Sequence, residues 1–180
     1  MHFPRKVRIV EVGARDGLQN ESVPVATATK LELIRRLSDS GLTHVEAASF
    51  VSPRWVPQMA DHREIMLALR DSHANSTTAK SATTYSALTP NMKGLEAALE
   101  CGVREVAVFG SASESFSQRN INCSIAESLE RFAPVVEHAL KAGVRVRGYV
   151  SCVLGCPYEG EIAPAEVAAV ARELKAMGCY

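Results

Sequence analysis

Short apolar runs alternate with amphipathic stretches along the whole chain. The segments Val7–Val12, His44–Ser49, Thr83–Leu88, Glu105–Phe109 and Val144–Ser151 are brief and rich in Val, Ile or other apolar residues, which predicts five strands. Their near-continuous apolar character suits parallel strands covered on both faces. Between them the apolar spacing becomes helical. Ala26–Ser40 carries Leu31, Leu33, Ile34 and Leu37 on one stripe and stops at Gly41. Asp61–Asp71 follows Pro57, Asn91–Cys101 follows Thr89-Pro90, and Ala163–Met177 begins near Pro164. Ser124–Ala142 opens with a Ser and has Glu127 three residues on, the pattern of a capping box.

Three helices end in the same way, with Gly41-Leu-Thr-His, Gly102-Val-Arg-Glu and Gly143-Val-Arg-Val leading straight into a strand. Repeated βα units joined by right-handed crossovers follow from this pattern, within one domain over residues 1–180. The units recur somewhat further apart than the roughly 30 residues of a minimal βα unit. Long βα loops, Phe50–Ala60 and Gly110–Cys123, account for the excess. Periodicity leaves two architectures open, a doubly wound sheet or part of a barrel. At Gly178-Cys179-Tyr180 a helix stop stands where a sixth strand is expected, so the chain reads as cut off within the pattern.

Composition is globular, with 47% hydrophobic and 22% charged residues. Lys and Arg balance Asp and Glu at 20 each, which argues against a nucleic-acid or membrane partner. No apolar run approaches the roughly 20 residues that span a bilayer. Met1-His-Phe-Pro-Arg-Lys-Val carries no apolar h-region, and the cytoplasm is the expected location. The five cysteines are odd in number and scattered, the usage of reduced thiols. Cys152 and Cys156 form a C-x-x-x-C pair without the second pair or nearby His that structural zinc requires.

The richest chemistry lies at the carboxyl ends of the predicted strands, where parallel α/β proteins bind ligands. Arg15 and Asp16 follow the first strand, between Gly13 and Gly17. An Asp there can hold a hard cation and the Arg can neutralise an oxyanion, although Asp-Gly also suits a plain turn. Glu46 is a carboxylate inside an apolar strand, costly unless it is paired or faces a polar cavity. It is expected beside Arg15 in a barrel mouth, or else at an edge position or in a structural ion pair; Ser49 is a weaker candidate of the same kind. Asn120 and Asn122, with Arg119, precede the fourth predicted helix. They suit an anion at a helix N-terminus or ordinary loop and cap chemistry. Tyr149 and Ser151 give the fifth strand a hydroxyl-rich end. His62 reads equally as a cap or a functional group, and Trp55 as packing under a loop.

Several of these segments together resemble the 3-hydroxy-3-methylglutaryl-CoA lyase family. They are IVEVGARDGLQNE (Ile9 to Glu21), ASFVSPRWVPQM (Ala48 to Met59), LTPNMKG (Leu88 to Gly94), the NINCS stretch ending at Ser124, and RGYVSCVLGCPYEG (Arg147 to Gly160). The Arg-Asp-Gly-x-Gln core alone is shared with isopropylmalate and homocitrate synthases and some carboxyltransferase domains. The resemblance implies a (β/α)8 TIM barrel of which this chain covers about five βα units. It implies metal-dependent retro-Claisen cleavage of 3-hydroxy-3-methylglutaryl-CoA to acetyl-CoA and acetoacetate, as in leucine degradation. Asp16 is then a ligand of Mg2+ or Mn2+, and Arg15 a substrate-binding and catalytic cation. Glu46 becomes an active-site carboxylate in a supporting role, and Asn120, Asn122, Tyr149 and Ser151 line the substrate site.

The departures from that family are specific. Its His-x-His and Asn metal ligands and its catalytic Cys in a Gly-rich loop have no counterpart here, and Ala14 stands where the family usually has Pro. The chain alone is therefore expected to be inactive, and its open strand edges to favour association, including with copies of itself. The alternatives are a non-catalytic CoA-ester-binding or barrel-completing module, and a related aldol-type synthase.

Overall fold

A computed structural model of the chain describes residues 5–75 and 83–180. Its elements alternate as α1 (Thr27–Asp39), β1 (His44–Ser49), α2 (His62–Asn75), β2 (Thr84–Leu88), α3 (Met92–Glu100), β3 (Glu105–Ser111), α4 (Glu114–Ile121), α5 (Ile125–Lys141), β4 (Arg145–Ser151) and α6 (Pro164–Ala176). They fall into two compact units, Met1–Ala87 and Leu88–Tyr180, with the boundary near the end of β2.

In the first unit β1 neighbours β2, and α1 and α2 pack on β1. Every residue of β1 after His44 is buried. Lys30 is buried in α1 although it is charged, because its ammonium has partners. It donates to the Gln58 carbonyl and, at 2.8 Å, to Asp61 Oδ1, while Thr27 Oγ1 donates to Asp61 Oδ2 at 2.9 Å. The loop after β1 is thereby tied to α1.

The predicted first strand, Val7–Val12, does not form. Only Glu11 pairs with β1, donating to the His44 carbonyl at 3.0 Å and accepting from Glu46 N–H at 2.8 Å. Val7 and Ile9 are exposed and Val10 and Val12 only half-buried, so the apolar side chains that predicted the strand find little cover. Residues 1–4 and 76–82 lie outside the described residues, and α2 runs past the expected end at Asp71 to Asn75.

In the second unit β3 and β4 run parallel from the pair Glu105–Arg145 to the pair Ser111–Ser151. One face of this ladder is packed by α5 and α6. A Cβ on Gly110 would come within 3.2 Å of Val170, and one on Gly148 within 3.2 Å of Leu174, so glycine lets α6 approach. The opposite face carries Glu105, Ser111, Arg147, Tyr149 and Ser151, since alternate residues of a strand share a face. Beyond β4 the chain returns: Tyr180 N–H bonds the Val146 carbonyl at 3.0 Å, and Gly148 N–H bonds the Tyr180 carbonyl at 3.3 Å.

The helix endings are as the sequence implies. Gly41, Gly102, Gly143 and Gly178 take positive φ of 96°, 77°, 72° and 104°, the left-handed turn that closes a helix. The capping box at Ser124–Glu127 is present. The predicted loop Gly110–Cys123 instead contains α4, whose first turn Ser113 caps by accepting from Phe116 N–H. Its helical spacing is too short and too polar to stand out from a loop.

Candidate active site

The first cluster begins with a backbone constraint. Gly13–Gly17 forms one π-helical turn, anchored where Arg15 and Asp16 N–H groups both reach the Val12 carbonyl, at 3.0 and 2.6 Å. Glu11 Oε1 accepts from Gly13 N–H at 2.6 Å and lies 2.7 Å from where a Cβ would be, so a side chain at 13 would push that carboxylate aside. Glu11 was not legible as a site residue; its strand position hid its side-chain role.

That turn delivers Arg15 to Glu46. Arg15 Nε donates to Glu46 Oε1 at 2.6 Å, and Glu46 is wholly buried in β1. The same guanidinium donates from Nη1 to Asp16 Oδ1 at 2.6 Å. Burial differs sharply along this short chain of charges: the Asp16 side chain is 55% exposed, Arg15 11% and Glu46 0%. The expected juxtaposition of Glu46 and Arg15 is therefore observed, with a second carboxylate, that of Asp16, facing water. Ser49 Oγ, at the end of β1, and Ser86 Oγ, in β2, are buried with no hydrogen-bond partner among the described residues. A buried hydroxyl of this kind calls for a ligand or water.

The second unit holds its own buried ion pair. Arg147 is gripped by Glu105, which Arg145 also approaches at 3.5 Å. Arg147 Nη1 donates to Tyr149 Oη at 2.9 Å and Nη2 to Tyr180 Oη at 3.3 Å. Burial alone would lower the Arg147 pKa, but these phenols and the Glu105 carboxylate outweigh it and hold the charge above its ordinary value. Neither Glu105 nor Arg147 was singled out from the sequence. Their pairing rests on the β3–β4 register, which sets Glu105 opposite Arg145 and two residues from Arg147.

The remaining sequence candidates are placed less suggestively. Asn120 lies in the last turn of α4 and is exposed; Asn122 takes φ 51° as the left-handed cap of that helix, a conformation asparagine tolerates. The N-terminus of α5 is occupied, as the loop and cap reading of this stretch implies and the anion-site reading does not. Glu127 Oε2 accepts from Ser124 N–H, Ser124 Oγ from Glu127 N–H, and Glu114 Oε2 from Ile125 N–H, at 2.8, 3.1 and 3.0 Å. Ser151 is half-buried at the end of β4. His62 opens α2, with Nδ1 2.7 Å from the Met59 carbonyl and its ring 4.6 Å from that of Phe50. Trp55 does not pack under a loop; it is 86% exposed. None of the five cysteines forms a disulfide among the described residues.

The chain has close relatives among known proteins. The family model described as HMGL-like matches residues 6–180. A curated relative from Pseudomonas aeruginosa, "3-hydroxy-3-isohexenylglutaryl-CoA/hydroxy-methylglutaryl-CoA lyase", is 59% identical over 180 residues, covering 100% of this chain and 57% of the relative. A crystal structure of hydroxymethylglutaryl-CoA lyase from Pseudomonas aeruginosa superposes with a TM-score of 0.87 at 59% identity, covering 100% of this chain and 57% of the other. A more distant structure, an HMG-CoA lyase from Acenitobacter baumannii in complex with coenzyme A and 3-methylmalate, gives a TM-score of 0.82 at 33% identity, over 96% of this chain and 53% of that one. The chain thus spans little more than half the length of the proteins it matches.

Proposed function

This chain belongs to the HMGL-like family of TIM-barrel carbon–carbon lyases, and we propose that its Arg15–Asp16–Glu46 cluster is part of a site that cleaves 3-hydroxy-3-methylglutaryl-CoA to acetyl-CoA and acetoacetate. The observation that carries the reading is the buried Glu46 carboxylate holding Arg15 Nε, so that the guanidinium reaches outward to the exposed Asp16. A guanidinium fixed on one edge loses little conformational freedom when its other N–H groups meet an oxyanion. In a retro-Claisen cleavage, negative charge grows on the thioester oxygen as the carbon–carbon bond breaks. A prepaid cation at that oxygen is worth about 3 kcal/mol of barrier.

Mg2+ or Mn2+ is the expected cofactor. Asp16 fits it as a half-exposed hard carboxylate, because Mg2+ keeps several waters and takes one or two carboxylates from a protein. Among the described residues no three His, Cys, Asp or Glu side chains converge, so Asp16 supplies one ligand and not a closed site. When bound, the ion supplies Lewis-acid polarisation of the substrate hydroxyl and carbonyl oxygens. Glu46 acts through Arg15, fixing its rotamer and balancing its charge. Tyr149 Oη accepts from Arg147 Nη1, which orients the phenol proposed to meet substrate. Asn120, Asn122 and Ser151 stay as proposed substrate contacts on the family resemblance, the first two exposed and the third half-buried. Leucine degradation, the cytoplasmic location and association with further copies accompany the proposal on the sequence reading alone.

The test is a chimera in which residues 6–180 replace the matching part of the Pseudomonas aeruginosa relative. It is expected to release acetyl-CoA from 3-hydroxy-3-methylglutaryl-CoA in the presence of Mg2+. A folded, metal-loaded chimera without turnover overturns the reading. The 180-residue chain assayed by itself is expected to show none, since it brings one carboxylate to the metal.

A further inference from the structure

Cys152 and Cys156 flank the turn after β4, and the proposed reaction uses neither. Cys152 is half-buried and holds φ at 64°, in the left-handed region that a residue with a Cβ occupies only under constraint. The chain folds back at once. Gly155 N–H reaches the Cys152 carbonyl at 3.4 Å, and Cys156 and Gly160 exchange two backbone bonds of 2.7 and 2.8 Å. This turn brings the two thiols near enough to act on each other's ionisation.

Their surroundings make the two sulfurs unequal. Cys156 Sγ accepts from Ser113 Oγ at 3.0 Å and from Tyr158 N–H at 3.4 Å. Burial pushes the Cys156 thiol up, but these donors and the Glu159 N–H outweigh it and hold it below the ordinary range. Burial raises the Cys152 thiol. Cys152 is the more accessible sulfur and Cys156 the more readily ionised one behind it. Cys101, Cys123 and Cys179 are each at most 7% exposed, and burial pushes Cys179 up to about 11.

We propose that Cys152 and Cys156 form a dithiol oxidation site, which closes to an intramolecular disulfide when it meets a low-molecular-weight disulfide such as oxidised glutathione. Cys152, deprotonated, attacks one glutathione sulfur; the glutathione S–S bond breaks and one glutathione thiolate leaves. Cys156, as thiolate, then attacks Cys152 Sγ in the mixed disulfide and displaces the second glutathione thiolate. The two protons lost from the protein thiols go to the two glutathiones. The protein is oxidised by two electrons and the oxidant reduced by two. The turn needs little rearrangement to reach disulfide geometry, since the sulfurs are already neighbours and the Cβ atoms of a disulfide lie about 4 Å apart. Closure withdraws Cys156 Sγ from Ser113 Oγ, the hydroxyl that caps α4.

Thiol mapping tests this without reference to substrate, so its outcome is separate from that of the lyase reading. The folded chain is exposed to oxidised glutathione at neutral pH, quenched with iodoacetamide and digested with trypsin. Both cysteines fall in the peptide Gly148–Arg172. This peptide is expected unalkylated and two hydrogens lighter, at least about tenfold faster than any other cysteine of the chain acquires glutathione. Cys156→Ser is expected to stop at a glutathione adduct on Cys152. The proposal is overturned if Gly148–Arg172 keeps two alkylated thiols, or if it oxidises no faster in the native chain than in urea. Because the wild-type comparison decides the matter, a variant that fails to fold leaves the test intact.

Discussion

Each unit of the molecule buries an arginine against a glutamate from a strand, and the two pairs differ in what completes them. Arg15 holds Glu46 on one side and the exposed Asp16 on the other. Arg147 holds Glu105 on one side and the phenols of Tyr149 and Tyr180 on the other, with both rings also near its guanidinium plane. The first pair opens toward water through a group that can bind a cation; the second is sealed by aromatic rings. A buried ion pair says little about function until its third partner is known. Its desolvation cost is the same whether it serves stability, positioning or chemistry.

Removing one carboxylate from each pair separates the cases most strongly. Glu105→Ala strands Arg147, itself 6% exposed, and is expected to cost about 3–5 kcal/mol in urea denaturation. Glu46→Ala is expected to cost less, toward about 3 kcal/mol, because Arg15 retains Asp16 and adjoining water. Equal losses would mean that the first cluster is as closed as the second.

Asp16→Asn sharpens the contrast from the other side. At an exposed turn its effect on stability should stay within about 0.5 kcal/mol. Mn2+ affinity of the chimera, followed by electron paramagnetic resonance, should fall at least about tenfold. An unchanged affinity would remove Asp16 from the metal assignment.

A smaller effect than the metal loss belongs to the α5 cap. Ser124→Ala should cost about 1 kcal/mol. Glu127 is held below its ordinary 4.5 first by the Ser124 N–H. A carboxyl depressed in the folded state stabilises above its unfolded value, and that contribution disappears as pH falls through the lower folded value. Unfolding from pH 7 down to acid should therefore show the wild-type advantage over Glu127→Gln shrinking below about pH 4.5.

Helix boundaries were the most legible part of the sequence, because glycines at 41, 102, 143 and 178 and the Ser124–Glu127 spacing encode local backbone geometry. Strand candidates were legible wherever both faces are covered. Val7–Val12 misled because apolar content predicts a strand only where its side chains are buried, and Val7 and Ile9 are not. Helix α4 was missed for the converse reason, being short and polar with little apolar stripe. In the site, Arg15, Asp16 and Glu46 could be read because charged residues beside or within an apolar strand are conspicuous. Glu11, Glu105 and Arg147 could not, since their roles depend on register and on a backbone N–H that no residue pattern displays.

The account turns on Arg15 as a charge held for an oxyanion and not as a structural cation. The direct measurement is kcat for 3-hydroxy-3-methylglutaryl-CoA cleavage by the chimera carrying Arg15→Lys, with its urea midpoint measured alongside. Lysine keeps the charge and loses the planar fork that reaches Glu46, Asp16 and a ligand together. A fall of about 10²–10³-fold in kcat at a stability within about 1 kcal/mol of the parent is the predicted result. Turnover within a few-fold of the parent, or a loss matched by unfolding, would contradict it.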